Sequence, residues 1–405
     1  MMLLKDSQAW SRFLKASPPL ILCLSSTLAI AIATGSHSGV SALTHPGCAP
    51  IRVTHADSVD PTTPLWPGAR FTEQDRRRAV VRGLRFIYKT AQDPHNFAEH
   101  GHDYLWCYDT TARAMKDEAV RSMAAEIGQK IARRWRQANP RVPPGASADT
   151  ITVLVFGSDS ADGLGVRDDA IKEEIRRAAA RFSPKDFLEF DPDTEPPPSD
   201  VPEDCARCGT ENPRGSGFCS KCKARLTMRS RYDVWSEALI ITWSGDRYGV
   251  KLGASYADVL KWLPVMRPYR GREGGANREF VDIVYAVTHL VYTLNDYSMY
   301  RLAPAWLPQE FEFLKSSLKE SIAAGNPDML GEFMDTLRSF GLTEDDPLIQ
   351  TGMNYLLSHQ HADGSWGNMR RLRYHPTWTA IDGLSQYCWR GQGLSMPDLK
   401  PLLPR

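Results

Sequence analysis

Cys205-Ala-Arg-Cys208 and Cys219-Ser-Lys-Cys222 are two Cys-x-x-Cys pairs with ten residues between them, and four thiolates at that spacing predict a tetrahedral Zn2+ site. Four sulfurs close the coordination shell and leave no position for a substrate, so such a site folds a loop and does not catalyse. The turn-rich Gly209 to Phe218 between the pairs suits a short module that has no core of its own and folds on its metal. Disulfides inside the pairs would close very small, strained rings.

A second constellation lies between Phe280 and Tyr297. At about 100° per residue, Phe280, Ile283, Val284, Val287, Leu290, Val291 and Leu294 share one broad helix face. Asp282, Tyr285, His289, Tyr292 and Asp296 form the opposite stripe, at spacings of three, four, three and four. A solvated stripe would carry Lys, Glu or Arg; this one has none, and it is what a helix shows to a polar cavity. His289 and Asp296 can serve as an acid–base pair with Tyr285 and Tyr292 as hydrogen-bond donors. Alternatively, His289 or Asp296 joins His102, Glu332, Asp335 or His375 around a second divalent ion with open positions, which would activate water or polarise a carbonyl. Each group also has a plain structural reading. His289 can be a satisfied core residue, Asp296 a helix cap, Glu332 and Asp335 partners of Arg338, His375 a donor at a helix terminus, and His102 part of a capped turn before Tyr104.

The elements that must position these groups are helical. Apolar periodicity predicts helices over Thr72–Thr90, Ala112–Gln137, Asp168–Phe182 and Asp328–Leu342, the last stopped by Gly341. Val153 to Phe156 reads equally as a strand or as a turn of buried helix. Lys5, Arg12 and Lys15 precede an apolar run from Leu20 to Ala33, so residues 1–34 read as a signal peptide or membrane anchor, and the Ser/Thr/Pro-rich 35–70 as a linker. Residues 71–200 and 229–395 read as two parts of one helical domain, with 201–228 inserted between them. The chain is then exported or membrane-anchored, or cytoplasmic if the true start lies further on. A thiolate metal site favours a reducing compartment, which pulls against export; in an oxidising one Cys48, Cys107 and Cys388 become disulfide candidates.

A formal net charge of +1 gives no global field. Nucleic acid is therefore disfavoured as a partner, and membrane contact is expected only through the N-terminal segment. The basic run from Arg207 to Arg231 follows an acidic run from Asp186 to Asp204, and the two can neutralise each other.

The four-cysteine segment resembles a zinc ribbon. Gly352-Met-Asn-Tyr355 through Gln360, Asp363-Gly364 and Trp366-Gly367 resembles the QW motif of the α/α-toroid proteins, which include squalene and terpenoid cyclases and the protein prenyltransferase β subunits. His375-Pro-Thr-Trp378 with Gly383-Leu384 is similar to the opening of the next helix in that family. The resemblance covers residues 328 to 390 and implies a mainly α fold, an α/α toroid of paired helices whose inner members face a central pocket. It also implies that Gln360 caps a helix end while Trp366 stacks against it. The family's DxDD and DDxxD acid motifs are missing, and the Asp, Cys, His zinc set of prenyltransferases has no recognisable counterpart. The leading expectation is an enzyme with a structural Zn2+ and a central polar pocket, holding a second divalent metal or acting by acid–base chemistry on a small or hydrophobic molecule. The alternatives are a non-enzymatic scaffold using the toroid surface and the basic ribbon, or a terpenoid-cyclase relative with altered acid chemistry.

Overall fold

Short polar caps, several followed by proline, start most of the helices. The computed structural model describes residues 71–269, 278–368 and 373–403; the expected leader 1–34 and linker 35–70 lie outside the described residues. A capping box at Thr72 opens α1 (Glu73–Gln92), Asp93 with Pro94 opens α2 (Pro94–Ala114), and Asp117 opens α3 (Glu118–Ala138). Then come α4 (Ala148–Gly163), α5 (Asp169–Ala179), α6 (Pro184–Leu188), α7 (Arg231–Tyr248), α8 (Tyr256–Leu260), α9 (Leu263–Met266) and α10 (Arg278–Leu294). The last four are α11 (Pro308–Ala323), α12 (Pro327–Ser339), α13 (Pro347–Ser358) and α14 (Tyr374–Leu384). Among the described residues the only β structure is isolated bridges, two of them closing the four-cysteine loop. No helix among them is long and apolar enough to cross a membrane.

Two boundaries differ from expectation. Ala112–Gln137 is two helices, because Met115 turns extended and the Asp117 carboxylate caps the amides of Ala119 and Val120. Val153 to Phe156 is helical, within an α4 whose apolar side chains are buried nearly all round, which erases the periodicity a sequence could display.

The helices α2, α4, α7, α10, α12 and α14 pack each on the next. Ser236 of α7 donates to the Tyr285 carbonyl of α10, and near their far ends Arg247 pairs with Asp296. Tyr285 of α10 reaches Asp328 of α12, and Asn295, just past α10, reaches Ser339. His375 of α14 meets Asp328, while Arg338 of α12 donates to the Gly383 carbonyl. Tyr374 and Trp378 of α14 in turn contact Asp103 and Trp106 of α2. His102 and Asp109 of α2 likewise face Phe156 and Gly163 of α4, so early residues meet early ones, late meet late, and these neighbours run in the same direction. α1, α3 and α13 each bridge two consecutive members. At the α12–α14 crossing the backbones touch: a Cβ on Gly383 would lie 2.9 Å from the Gly331 Cα.

Around Gln360 and Trp366 it is the tryptophan that caps the helix end. The buried Trp366 indole N–H donates to Leu356 O (2.7 Å) at the end of α13, and Gln360 Nε2 ties the turn to Ala79 O of α1 and to Gly364 O, each at 2.9 Å. Outside the loop, Cys107 is a buried free thiol, and Cys388 is disulfide-bonded with its partner outside the described residues.

Candidate metal centres

In the four-cysteine loop each Cys-x-x-Cys ends on a residue in the left-handed region, Gly209 (φ 64°) and Lys223 (φ 60°), so the chain doubles back and its amides face sulfur. Gly209 N–H donates to Cys205 O (2.7 Å), Lys223 N–H to Cys219 O (3.0 Å) and Cys222 N–H to Cys219 Sγ (3.5 Å). Asn212 staples the two turns, accepting from Ser220 N and donating to Thr210 O. Cys205 and Cys222 Sγ lie 3.4 Å apart, and Cys208 and Cys219 Sγ 3.6 Å. A covalent S–S bond is about 2.05 Å, whereas sulfurs 2.3 Å from one tetrahedral ion sit ~3.8 Å apart. Hydrogen bonds from the backbone of Cys222 and Lys221 pull the Cys219 thiol down to about 6, toward the thiolate a metal requires. These four cysteines can hold a metal ion.

A second group gathers where α12 and α14 begin. Asp328 and Glu332 stand one turn apart on α12, and His375 is the second residue of α14; their ligand atoms all lie within 4.8 Å of one another. All three are buried, at 4%, 1% and 8% exposure. Asp328 Oδ1 accepts from His375 Nδ1 (2.9 Å) and Thr379 Oγ1 (2.9 Å), and Oδ2 accepts from Tyr285 OH (2.8 Å). Burial opposes the charge on Asp328, but the His375 imidazolium and these hydrogen bonds hold its carboxyl below the usual range. Burial likewise opposes the charge on His375, and the Asp328 carboxylate overrides it, holding the imidazole up at about 9. Glu332 accepts from Thr288 Oγ1 (2.5 Å); burial first, then the Asp328 charge, pushes it up to about 8. His289 Nδ1 donates to Tyr285 O (2.7 Å) and lies 3.8 Å from Glu332; burial lowers its ring to about 4, so it is neutral at pH 7. Tyr292 OH points to Glu332 O (3.4 Å).

The expected residues thus separate. Glu332, His375, His289, Tyr285 and Tyr292 come together, and Asp328, missed in the sequence, is their hub; the signal available was its place four residues before Glu332 in the same helix. Asp296 does not belong. α10 ends at Leu294, Asp296 turns left-handed (φ 54°), and its carboxylate pairs with Arg113 and Arg247. His102 sits beside Asp103 (3.4 Å) with the rings of Trp135 and Phe156 near it, and it is not part of the Asp328, Glu332 and His375 group. Asp335 lies two turns beyond Asp328, accepts from Ser298 Oγ (2.8 Å) and is pushed up to about 7 by burial.

Asp282 leaves the stripe as well. It faces a buried cluster in which Arg229, at the exit of the four-cysteine loop, pairs with Asp233 (2.5 Å) and Glu237 (2.7 Å) of α7. Burial, then the Asp233 charge, raises Asp282 to about 6. Because its folded value exceeds the unfolded one, its contribution to stability falls as pH rises from about 4 to 6. Asp282→Asn is therefore expected to flatten that part of the stability profile and to raise stability at pH 7 by on the order of 2 kcal/mol. Denaturant midpoints measured from pH 4 to 7 check this, and parallel profiles for the two proteins would refute it.

No protein-family model, curated protein or solved structure matches this chain.

Proposed function

We propose that this chain is an α/α-toroid enzyme in which Asp328, Glu332 and His375 hold a catalytic divalent ion at the centre, while the cysteine loop is a zinc ribbon carrying a structural Zn2+. The observation that carries the reading is the convergence of those three buried ligand types from two adjoining helices. A mixed carboxylate and imidazole set suits Zn2+, Fe2+ or Mn2+, and it leaves coordination positions open. Support for the toroid comes from the order of packing, with six helices in one direction and the last returning to the first.

When bound, the ion would supply Lewis-acid polarisation or an activated water. The protein's own groups do the rest. Asp328, fixed by Tyr285 and Thr379, sets the His375 ring through Nδ1. His289, neutral and adjacent to Glu332, has Nδ1 committed to Tyr285 O and so offers the site only Nε2 as a hydrogen-bond acceptor. Tyr292 and Tyr297, with Trp106, Trp243 and Trp378, form a contiguous aromatic group beside it, which favours an apolar substrate. The N-terminal apolar run fits delivery of the enzyme to an export route or a membrane.

The test is metal content of the full chain. Two divalent ions per chain are expected, with His375→Ala and Glu332→Gln each leaving one and Cys219→Ser removing the other. A single ion that only the cysteine variant removes would refute the catalytic metal and favour a scaffold.

A further inference from the structure

Acids flanking the cysteine loop are already occupied. Asp200 and Glu195 take Arg214, Asp193 takes Lys261, and Glu203 takes Arg278. The expected mutual neutralisation of the two runs therefore stops at Arg214. Arg207, Lys221, Lys223 and Arg225 are exposed, and among the described residues none of them sits in an ion pair; Lys223 reaches only the Ser220 carbonyl. Glu211 is the one acid between Cys205 and Arg225. Four uncompensated cations thus share a loop of about twenty residues.

The same rim carries the exposed large apolar side chains. Among the described residues these are Phe218 (66% exposed), bridged to Arg225, and Val265 (40% exposed) on α9. Tyr269, four residues after Val265, packs on Tyr232 in the first turn of α7, the helix that follows directly from the loop. Trp262 and Lys261, just before α9, in turn meet Pro192 and Asp193 ahead of the loop, so Val265 lies near the start of α7 and Phe218 on the loop that leads into it. A folded chain gains nothing from holding Phe and Val in water, and leaving a Phe unburied forfeits about 2 kcal/mol. Apolar tips ringed by Lys and Arg fit the boundary between phosphate headgroups and acyl chains.

We propose that this rim docks on an anionic lipid surface, with Phe218 and Val265 entering the headgroup boundary and the four cations meeting phosphate. An aliphatic Val265 has no ring to stack on a base, which sets this reading above a single-stranded nucleic acid. The proposal is independent of the central ion, and it adds a membrane contact beyond the N-terminal segment.

Co-sedimentation of the full chain with phosphatidylcholine vesicles, with and without phosphatidylglycerol, tests it. Any contribution of the N-terminal apolar run is common to both vesicle types, so the readout is the gain on adding phosphatidylglycerol. Each cation near such a surface is worth about fivefold, so Lys221→Ala with Arg225→Ala is expected to cut that gain about twentyfold. Phe218→Ser is expected to weaken binding to the anionic vesicles about tenfold, and Val265→Ser, which lies outside the loop, about threefold. Unchanged metal content shows that the loop still folds in each variant. Vesicle binding equal to that of the parent in all three variants overturns the proposal. So does a labelled single-stranded oligonucleotide that binds, and is released by Lys221→Ala with Arg225→Ala, while vesicle binding holds.

Discussion

Cys219→Ser is expected to strip the loop of the metal proposed for it and to release residues 201–228 to hydrogen exchange while the helices beyond the start of α7 stay protected. Cys219 is fully buried, and the loop's own cluster consists of the cysteines, Leu226 and little more. A segment that small cannot fold on apolar burial, and a structural Zn2+ supplies about 10–16 kcal/mol of apparent folding energy in comparable peptides. Amides of Gly209, Cys222 and Lys223, which now bond to the Cys205 and Cys219 carbonyls or sulfur, should exchange freely. The effect should spread one step. Arg229 leaves the loop directly into Asp233 and Glu237, and its amide is pinned to Val201 O. The first turns of α7 should therefore loosen, with a fall in thermal midpoint. Metal analysis and exchange mass spectrometry check this; protection of 201–228 at parent levels in the metal-free variant would sink it.

Gly331→Ala is expected to act on both stability and the central site. A methyl there would strike the Thr379 carbonyl and come within 2.8 Å of Ala380 N, and these are backbone atoms that cannot rotate away. Forcing the two helices apart should cost about 3 kcal/mol, at the upper end of overpacking effects. It should also part His375 from Asp328, now 2.9 Å apart, although neither side chain is altered. Central metal affinity is expected to fall more than tenfold, with the cysteine metal retained. Denaturant unfolding together with metal titration separates the two effects, and an unshifted midpoint with normal affinity would contradict the close crossing.

Legibility in the sequence followed the range of the interactions. The cysteine loop could be read because its chemistry is local: both knuckles and their turns lie within eighteen residues, Cys205 to Cys222. The polar stripe was legible from Tyr285 to Tyr292, because one helix face carries it, while Asp282 turns to the Arg229 cluster. It failed at Asp296, where three successive left-handed residues, Asp296, Tyr297 and Ser298, end the regular spacing without a glycine or proline to announce it. Asp328 escaped for a different reason. As the second residue of α12 it reads as an ordinary acid near a helix start, and its meaning depends on His375, Thr379 and Tyr285, which are more than forty residues away. The pairing of Trp366 with a carbonyl and of Gln360 with α1 is equally a matter of which helix lies alongside.

The common direction of the six packed helices has an electrical consequence. Each α-helix carries roughly half a positive charge at its N-terminus and half a negative one at its C-terminus. Six aligned dipoles give the axis a fixed polarity. At the positive end Asp328 sits in the first turn of α12, where the field adds to the His375 charge in favouring its ionised form; Glu332 and Asp335, one and two turns further along, are raised to about 8 and 7, by burial first. At the negative end, Arg113 and Arg247 occupy the last turns of α2 and α7 and offset the converging carbonyls. The formal charges thus oppose the helix polarity at both ends, a carboxylate at the positive one and guanidiniums at the negative one, so that side chains and dipoles offset each other along one axis.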